Sequence, residues 1–376
     1  MNDRLLALRP YPMARLNAVK DDLRRRGVPI FDFGTGDPIE PTAPRIRSAL
    51  VDAVPAVSQY PRVRGQGAVR RAFADWFQAR FGVTLDPDSE VLPAQGSKEA
   101  IFHLPLVLLD PTRGARGVLY PEPGYPVYEI GTLFAHGEPI ALRLTADNGY
   151  LMDPDQVPPE TLARCALVWL CYPHNPTGTD LPEVLWRKWL RARERHGFVL
   201  ASDECYTELW FGSRPRSLLE FGRKHCLVFH SLSKRSGMTG YRSAVVAGDA
   251  ELVQLYARFR EGMGLAMPVW TEAASVAAWR DEAHVVARRA AFADKRELFL
   301  QFFGARGFTV WPSTSTFYLW LRVPAGHTDD SYALALLERG IVVSPGSFFG
   351  PGNADWIRLA LVPDLDGCRA AIAAWP

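Results

Sequence analysis

Cys226-Leu227-Val228-Phe229-His230-Ser231-Leu232-Ser233-Lys234-Arg235-Ser236-Gly237 is an apolar run that gives way to a short polar stretch carrying one lysine. An apolar run of this length, ended by hydroxyls and a glycine, predicts a strand covered on both faces. Runs of the same kind occur at Gly117–Tyr120, Leu167–Tyr172, Phe198–Ser202 and Ala244–Ala247. Longer helical patterns at Lys98–Leu109, Pro182–His196 and Glu251–Gly262 accompany them. Doubly buried strands interleaved with helices predict an α/β layered fold.

The carboxyl-terminal part reads differently. Phe317-Tyr318-Leu319-Trp320-Leu321, Ile341-Val342-Val343 and Trp356-Ile357-Arg358-Leu359-Ala360 predict strands among helices, an α+β unit. The amino-terminal stretch reads as loop-rich and is expected to join that unit. The expected division is a large domain over residues 45–285 and a small domain made of residues 1–44 and 286–376. The 30 prolines and 30 glycines fall between periodic segments and read as turns of a compact fold rather than as linkers.

Composition narrows the function classes. A chain of 376 residues has ample length for two domains. A net charge of +2 gives no electrostatic reason to invoke nucleic acid or an anionic membrane. The cluster Arg24-Arg25-Arg26 reads as a solvated helix end. The five cysteines, Cys165, Cys171, Cys205, Cys226 and Cys368, form no CxxC pair, so buried free thiols in a reducing compartment are expected. The histidines are dispersed without an HExxH, and no metal site is expected. The amino terminus lacks the apolar core of a signal peptide and no apolar run is long enough to span a bilayer, so a cytoplasmic location is expected.

Chemistry-bearing residues cluster after the apolar runs. A lysine placed like Lys234 is partly desolvated, which lowers its pKa and favours a neutral, nucleophilic amine; taken alone, it reads better as a surface lysine at a helix start. Ser231 and Ser233 read equally as a helix cap or as phosphate ligands. Arg242, just before the run Ala244–Ala247, suits a bidentate grip on phosphate, or a structural ion pair. Asp203 ends the run Phe198–Ser202, at the strand end where α/β sheets bind ligands, or else caps a helix. Tyr206 offers a phenol three residues on, or packs in the core. Asn175-Pro176-Thr177-Gly178 is a turn that presents an amide. Gly96-Ser97-Lys98-Glu99-Ala100 opens a helix whose N–H groups suit a phosphate. Tyr125 offers a ring for stacking, or packs a loop. Gly34-Thr35-Gly36 lacks the third glycine and the following βαβ pattern of a nicotinamide-binding fingerprint.

An amine, an acid, a phenol, an amide and a phosphate-sized set of donors are what pyridoxal 5′-phosphate (PLP) requires of a protein. In order and spacing these segments resemble the fold-type I PLP-dependent aminotransferases of class I/II over nearly the whole chain. The resemblance rests on Gly34-Thr35-Gly36-Asp37-Pro38, Tyr60 to Gly65, Gly96 to Ala100, Asn175 to Gly178, Asp203 to Tyr206, Ser231 to Lys234, Arg242 and Arg358. It implies a large domain with a mostly parallel central sheet flanked by helices, and a smaller α+β domain. It implies that Lys234 holds the cofactor covalently and shuttles a proton at the substrate Cα, while Asp203 pairs with the ring nitrogen. Asn175 and Tyr206 are implied to meet the ring oxygen, Tyr125 to stack on the ring, and Ser97, Lys98 (main chain), Ser231, Ser233 and Arg242 to hold the phosphate. Tyr60 is implied to reach the phosphate from the neighbouring subunit of a homodimer with shared sites. Arg358, Asn175 and the Gly36 N–H are implied to bind the substrate carboxylate.

Within that family several stretches are similar to N-succinyldiaminopimelate aminotransferases of bacterial lysine biosynthesis. They include Asn2-Asp3-Arg4-Leu5 with Pro10-Tyr11-Pro12, Glu204 to Glu208, Ser231 to Ser236, Gly264 to Met267 and Phe317 to Leu321. This likeness implies transfer between L-glutamate/2-oxoglutarate and N-succinyl-LL-2,6-diaminopimelate. The alternatives are an aspartate, alanine or aromatic aminotransferase, or a carbon–sulfur β-lyase. Departures at Gly237-Met238-Thr239, Tyr241 and Tyr172-Pro173-His174 bear on the substrate rather than the chemistry. A distal carboxylate calls for a further basic group, with Arg62, Arg64 and Arg260 as candidates.

Overall fold

The computed structural model describes residues 13–110, 112 and 114–376. The stretches Asn2–Leu5 and Pro10–Pro12 lie outside the described residues. In chain order the strands are β1 (Phe31–Asp32), β2 (Val91–Ala94), β3 (Gly117–Glu122), β4 (Glu138–Arg143), β5 (Cys165–Cys171) and β6 (Val199–Asp203). They continue as β7 (Cys226–Ser231), β8 (Ala244–Gly248), β9 (Tyr318–Arg322), β10 (Ile341–Val342), β11 (Ser344–Pro345) and β12 (Trp356–Ala360).

Seven strands form one sheet in the order β2-β8-β7-β6-β5-β3-β4, in which β8 alone runs against its neighbours. Successive residues of β5 serve opposite faces, as the strand period of two requires. Leu167, Trp169 and Cys171 pack with Ala100, Ile101 and Leu104 of the helix Ser97–Leu108. Val168 and Leu170 join the other core, with Trp186 and Trp189 of the helix Glu183–His196. Burying one such side chain contributes roughly 1.5–3 kcal/mol, against about 1 kcal/mol across the whole strand-propensity scale. Two-sided burial therefore decides that these runs are strands. The edge strand β4 has no counterpart among the predicted strands. Its Glu138, Ala141 and Arg143 are exposed, so it lacks the continuous apolar signal.

The loop-rich reading of the amino-terminal stretch is corrected by a helix at Met13–Arg25. Among its described side chains Leu23 and Val19 meet Leu337 and Val342, while Asp21, Arg24 and Arg25 are exposed, so charged residues dominate the sequence there. Arg24, Arg25 and Arg26 are exposed and pair with Asp21 and Asp22, the solvated helix end expected. The strands β11-β12-β9 form an antiparallel sheet, and β1 pairs in parallel with β10. Phe33 and the long helix Ala283–Ala305, through Phe292, Phe299 and Phe303, share a core with those strands.

The reversed direction of β8 positions the site. Its first residue, Ala244, lies opposite both Ser231 at the end of β7 and Ala94 at the end of β2. The carboxyl ends of β2, β5, β6 and β7 therefore share one edge with the start of β8, the edge at which open α/β sheets bind ligands. All five cysteines are free and buried. Among the described residues no helix is long and apolar enough to cross a membrane.

Candidate active site

At the end of β7, Ser231 caps a single helical turn, Leu232–Arg235, with its Oγ accepting the Ser233 N–H at 3.1 Å. The turn directs Lys234 into a cavity of about 530 Å³ that also receives Gly36, Ser97, Lys98, Tyr125, Asn175, Asp203, Tyr206, Ser231, Ser233, Arg242 and Arg358. Lys234 Nζ donates to the Gly36 carbonyl. Burial pushes its pKa down to about 8; Asp37 opposes the fall, while Arg358 and Arg242 reinforce it. Below that value the amine is a charged ammonium without a nucleophilic lone pair; above it the amine is neutral. Capture of an aldehyde cofactor by the apoprotein should therefore accelerate between about pH 7 and pH 9 and then level off. Stopped-flow absorbance measures this directly. A rate still climbing toward the ordinary lysine value of 10.5 would contradict the burial argument.

Asp203, the last residue of β6, accepts the Tyr128 hydroxyl at 2.9 Å and the Cys205 N–H at 3.2 Å. Burial raises its pKa, while those hydrogen bonds and His230 pull the other way. Tyr206 shares a 2.7 Å hydrogen bond with Tyr318, and burial holds both phenols in their neutral form. Arg358 on β12 donates through Nη1 to Asn175 Oδ1 and through Nη2 to the Gly34 carbonyl, each at 3.0 Å. Its guanidinium lies 4.2 Å from the Tyr318 ring centre and 4.6 Å from that of Phe349. Its Nε is buried and meets no acceptor among the described residues.

On the wall of the same cavity, the helix Ser97–Leu108 begins after Gly96 without a side-chain cap hydrogen bond. Gly96 has φ +90°, and a Cβ there would overlap the Arg242 guanidinium. Arg242 itself has φ 55° and is braced by a 3.0 Å bond from Nη1 to the Thr239 carbonyl. A glycine cradle, an uncapped helix start and a guanidinium make an anion receptor. A buried amine and a buried acid share the same cavity, and this donor set fits PLP.

Of the residues that the resemblance assigns to the cofactor and the α-carboxylate, Tyr60 alone stands apart from this cavity. It is 101 % exposed and lines a second hollow with Arg62 and Trp270. Two proposed carboxylate ligands are corrected. Arg260 is buried and donates to both oxygens of Glu99 at 2.6 and 2.8 Å. Arg64 is spent on Gln254 and the Asp88 carbonyl. Neither lines the cavity.

Of the three departures, Thr239 alone contributes a residue to the cavity wall. Tyr172 bonds the Tyr150 carbonyl and the Met152 N–H. His174, its pKa pushed down to about 4 by burial, is neutral and donates through Nε2 to the Pro123 carbonyl. Tyr241 packs against the core.

Sequence reading missed Tyr128, Tyr318, Ser344, Phe348 and Phe349. Tyr128 follows Tyr125 by three residues, a helical spacing that was its available signal.

The family model for aminotransferase class I and II matches residues 28–374. An LL-diaminopimelate aminotransferase of Desulforudis audaxviator is 36% identical over 95% of this chain and 92% of its own. One from Nitratidesulfovibrio vulgaris is 36% identical over 99% of this chain and 97% of its own. The solved structure of an aminotransferase from Neisseria meningitidis has a TM-score of 0.90 and 34% identity, covering 100% of this chain and 99% of that one. Fold and cavity define a PLP-dependent enzyme of fold type I. The chain belongs to the class I and II aminotransferases.

Proposed function

We propose that this aminotransferase moves an amino group between L-glutamate/2-oxoglutarate and an acid of the diaminopimelate type, N-succinyl-LL-2,6-diaminopimelate being the form read from the sequence. The carrying observation is the single cavity that joins the Lys234 amine, the Asp203 carboxyl and the Arg358 guanidinium. The names of the LL-diaminopimelate relatives support the carbon skeleton. The succinyl group rests on the sequence stretches alone.

When bound, PLP supplies an electron sink for charge developing at the substrate Cα. Lys234 would attach the cofactor through Nζ and, once released, would take the substrate Cα proton and deliver it to cofactor C4′. Asp203 holds the ring nitrogen cationic, and Tyr128 fixes that carboxyl in place. Asn175 and Tyr206 orient the ring oxygen while Tyr125 covers one face. Ser97, the Lys98 N–H, Ser231, Ser233 and Arg242 hold the phosphate. Arg358, with Asn175 and the Gly36 N–H, fixes the substrate carboxylate so that the Cα–H bond faces the amine.

The proposal includes a homodimer in which Tyr60 completes the phosphate site of the partner. Its full exposure on a loop beside the exposed Val57 supports that assembly. Arg62, exposed on the same loop, is then the remaining candidate for a distal carboxylate. Residues 45–285 would form the large domain, and 1–44 with 286–376 the small one. The five buried free thiols favour a reducing, cytoplasmic setting.

A half-reaction tests the reading: glutamate should bleach the visible band of the bound cofactor. Comparing kcat/KM for succinylated and free diaminopimelate then separates the two forms. A preparation that no common amino donor bleaches, but that releases pyruvate from cystathionine without an oxo-acid acceptor, would be a lyase instead.

A further inference from the structure

Tyr318, the first residue of β9, is buried in the cavity wall and takes no part in the steps set out above. It lies opposite Ala360 of β12, and Arg358 stands two residues before Ala360, on the same face of that strand. This diagonal placement across the strands brings the Arg358 guanidinium to 4.2 Å from the centre of the Tyr318 ring. The Tyr318 hydroxyl meets the Tyr206 hydroxyl at 2.7 Å. Gly36 leaves room for it, since a Cβ there would overlap that hydroxyl. Just upstream, Thr316 holds a φ of 67°, which a β-branched residue rarely adopts. Its Oγ1 accepts the Tyr318 N–H at 3.1 Å and its own N–H donates to the Leu209 carbonyl at 2.6 Å, so the chain is pinned on the approach to Tyr318. One side chain therefore touches both Tyr206 and Arg358.

A neutral phenol has one proton to donate and lone pairs with which to accept. Burial keeps both phenols protonated, so the pair holds two protons for one shared contact. One proton is donated within the pair and the other is left for a further acceptor. Tyr206 is the phenol assigned to the cofactor's ring oxygen, which makes Tyr318 the donor to Tyr206. Donation into a hydroxyl polarises it and strengthens the bond it makes onward. We propose that Tyr318 is a positioning residue that couples cofactor and substrate: its hydroxyl directs the Tyr206 proton to the ring oxygen, and its ring seats Arg358 for the substrate carboxylate. The ionisable groups that bear most on Tyr318 come from three elements: Arg358 on β12, Tyr206 and Asp203 at the end of β6, and Cys171 at the end of β5. Burial outweighs the pull of Arg358 toward the phenolate, and Cys171 and Asp203 act with burial. The inference rests on the proposed roles of Tyr206 and Arg358.

The test uses the holoenzyme and reads the pH midpoint of the bound cofactor's visible band together with KM for glutamate. A hydrogen bond donated to the ring oxygen favours its anionic form, so weakening that bond raises the midpoint. Tyr318→Phe removes the hydroxyl and keeps the ring. Its midpoint should rise by about half a unit, and kcat should fall with KM little changed. In a Tyr206→Phe background the same substitution should add nothing, because its route to the cofactor is gone. Tyr318→Leu removes the ring as well, and KM should then rise about fivefold, the value of one cation–π contact. A folded Tyr318→Phe variant whose midpoint stays or falls overturns the proposal, a fall meaning that Tyr318 competes for the Tyr206 proton; this arm decides alone if Tyr318→Leu does not fold. A folded Tyr318→Leu variant with the KM of Tyr318→Phe overturns it too. If Tyr206→Phe leaves the midpoint in place, or Arg358→Lys leaves KM in place, the roles assigned to those two residues are wrong, and this inference goes with them.

Discussion

Lys234→Ala is expected to abolish the visible band of covalently held cofactor and to lower kcat by about 10⁴-fold or more. On the proposed mechanism covalent attachment and proton transfer depend on one amine, and acid–base catalysis alone contributes about 10²–10⁴-fold. The other lysine of the cavity, Lys98, stands in the first turn of the helix that follows Gly96. The fold should survive, because burial resists the lost ammonium more than Asp37 favours it, and its hydrogen-bond acceptor is a main-chain carbonyl. Circular dichroism should match the wild type while the absorbance band is absent. A retained band, with the pyridoxyl group mapped to another lysine after borohydride reduction, would refute the assignment.

Arg358→Lys should lower kcat/KM by about 10²–10³-fold, the range expected when a buried, hydrogen-bonded charge partner loses its match. An ammonium cannot span Asn175 and the Gly34 carbonyl at once, and it is a compact point charge in place of the planar guanidinium that lies 4.2 and 4.6 Å from the Tyr318 and Phe349 ring centres. The loss should appear mainly as a raised KM for every amino acid tried, because the α-carboxylate is common to all. The visible band should be retained, since the substitution leaves Lys234 and the Gly96–Arg242 anion receptor in place. An unaltered KM would remove Arg358 from the carboxylate site.

The parts legible in the sequence are those whose physics is local. β5, β6, β7 and β8 announced themselves because two-sided burial leaves an unbroken apolar run. Lys234, Asp203 and Asn175, which the fold gathers into one cavity, were legible as candidates because each follows such a run. β4 and the helix Met13–Arg25 were not found, since one is half-solvated and the other is rich in charged residues. Tyr128 and Tyr318 escaped for another reason. Their partners Asp203 and Tyr206 stand 75 and 112 residues away, and a tyrosine in an apolar segment looks like core until the chain closes around it. Arg64 and Arg260 failed as ligands because an arginine's partner cannot be read from its neighbours in the chain. Both were already committed to groups brought close by folding.

The carbonyls of Gly34 and Gly36 hold Arg358 and Lys234 at two corners of the cavity. Every residue type carries that same oxygen, so no codon change at either position deletes the acceptor itself. Mutational drift or directed evolution can retune the rings, hydroxyls and amides around the substrate while this pair of anchors persists. Displacing them demands an insertion, a deletion or a bulky residue that shifts the main chain, which makes indels in the 34–36 segment the changes to watch when relatives diverge in what they accept.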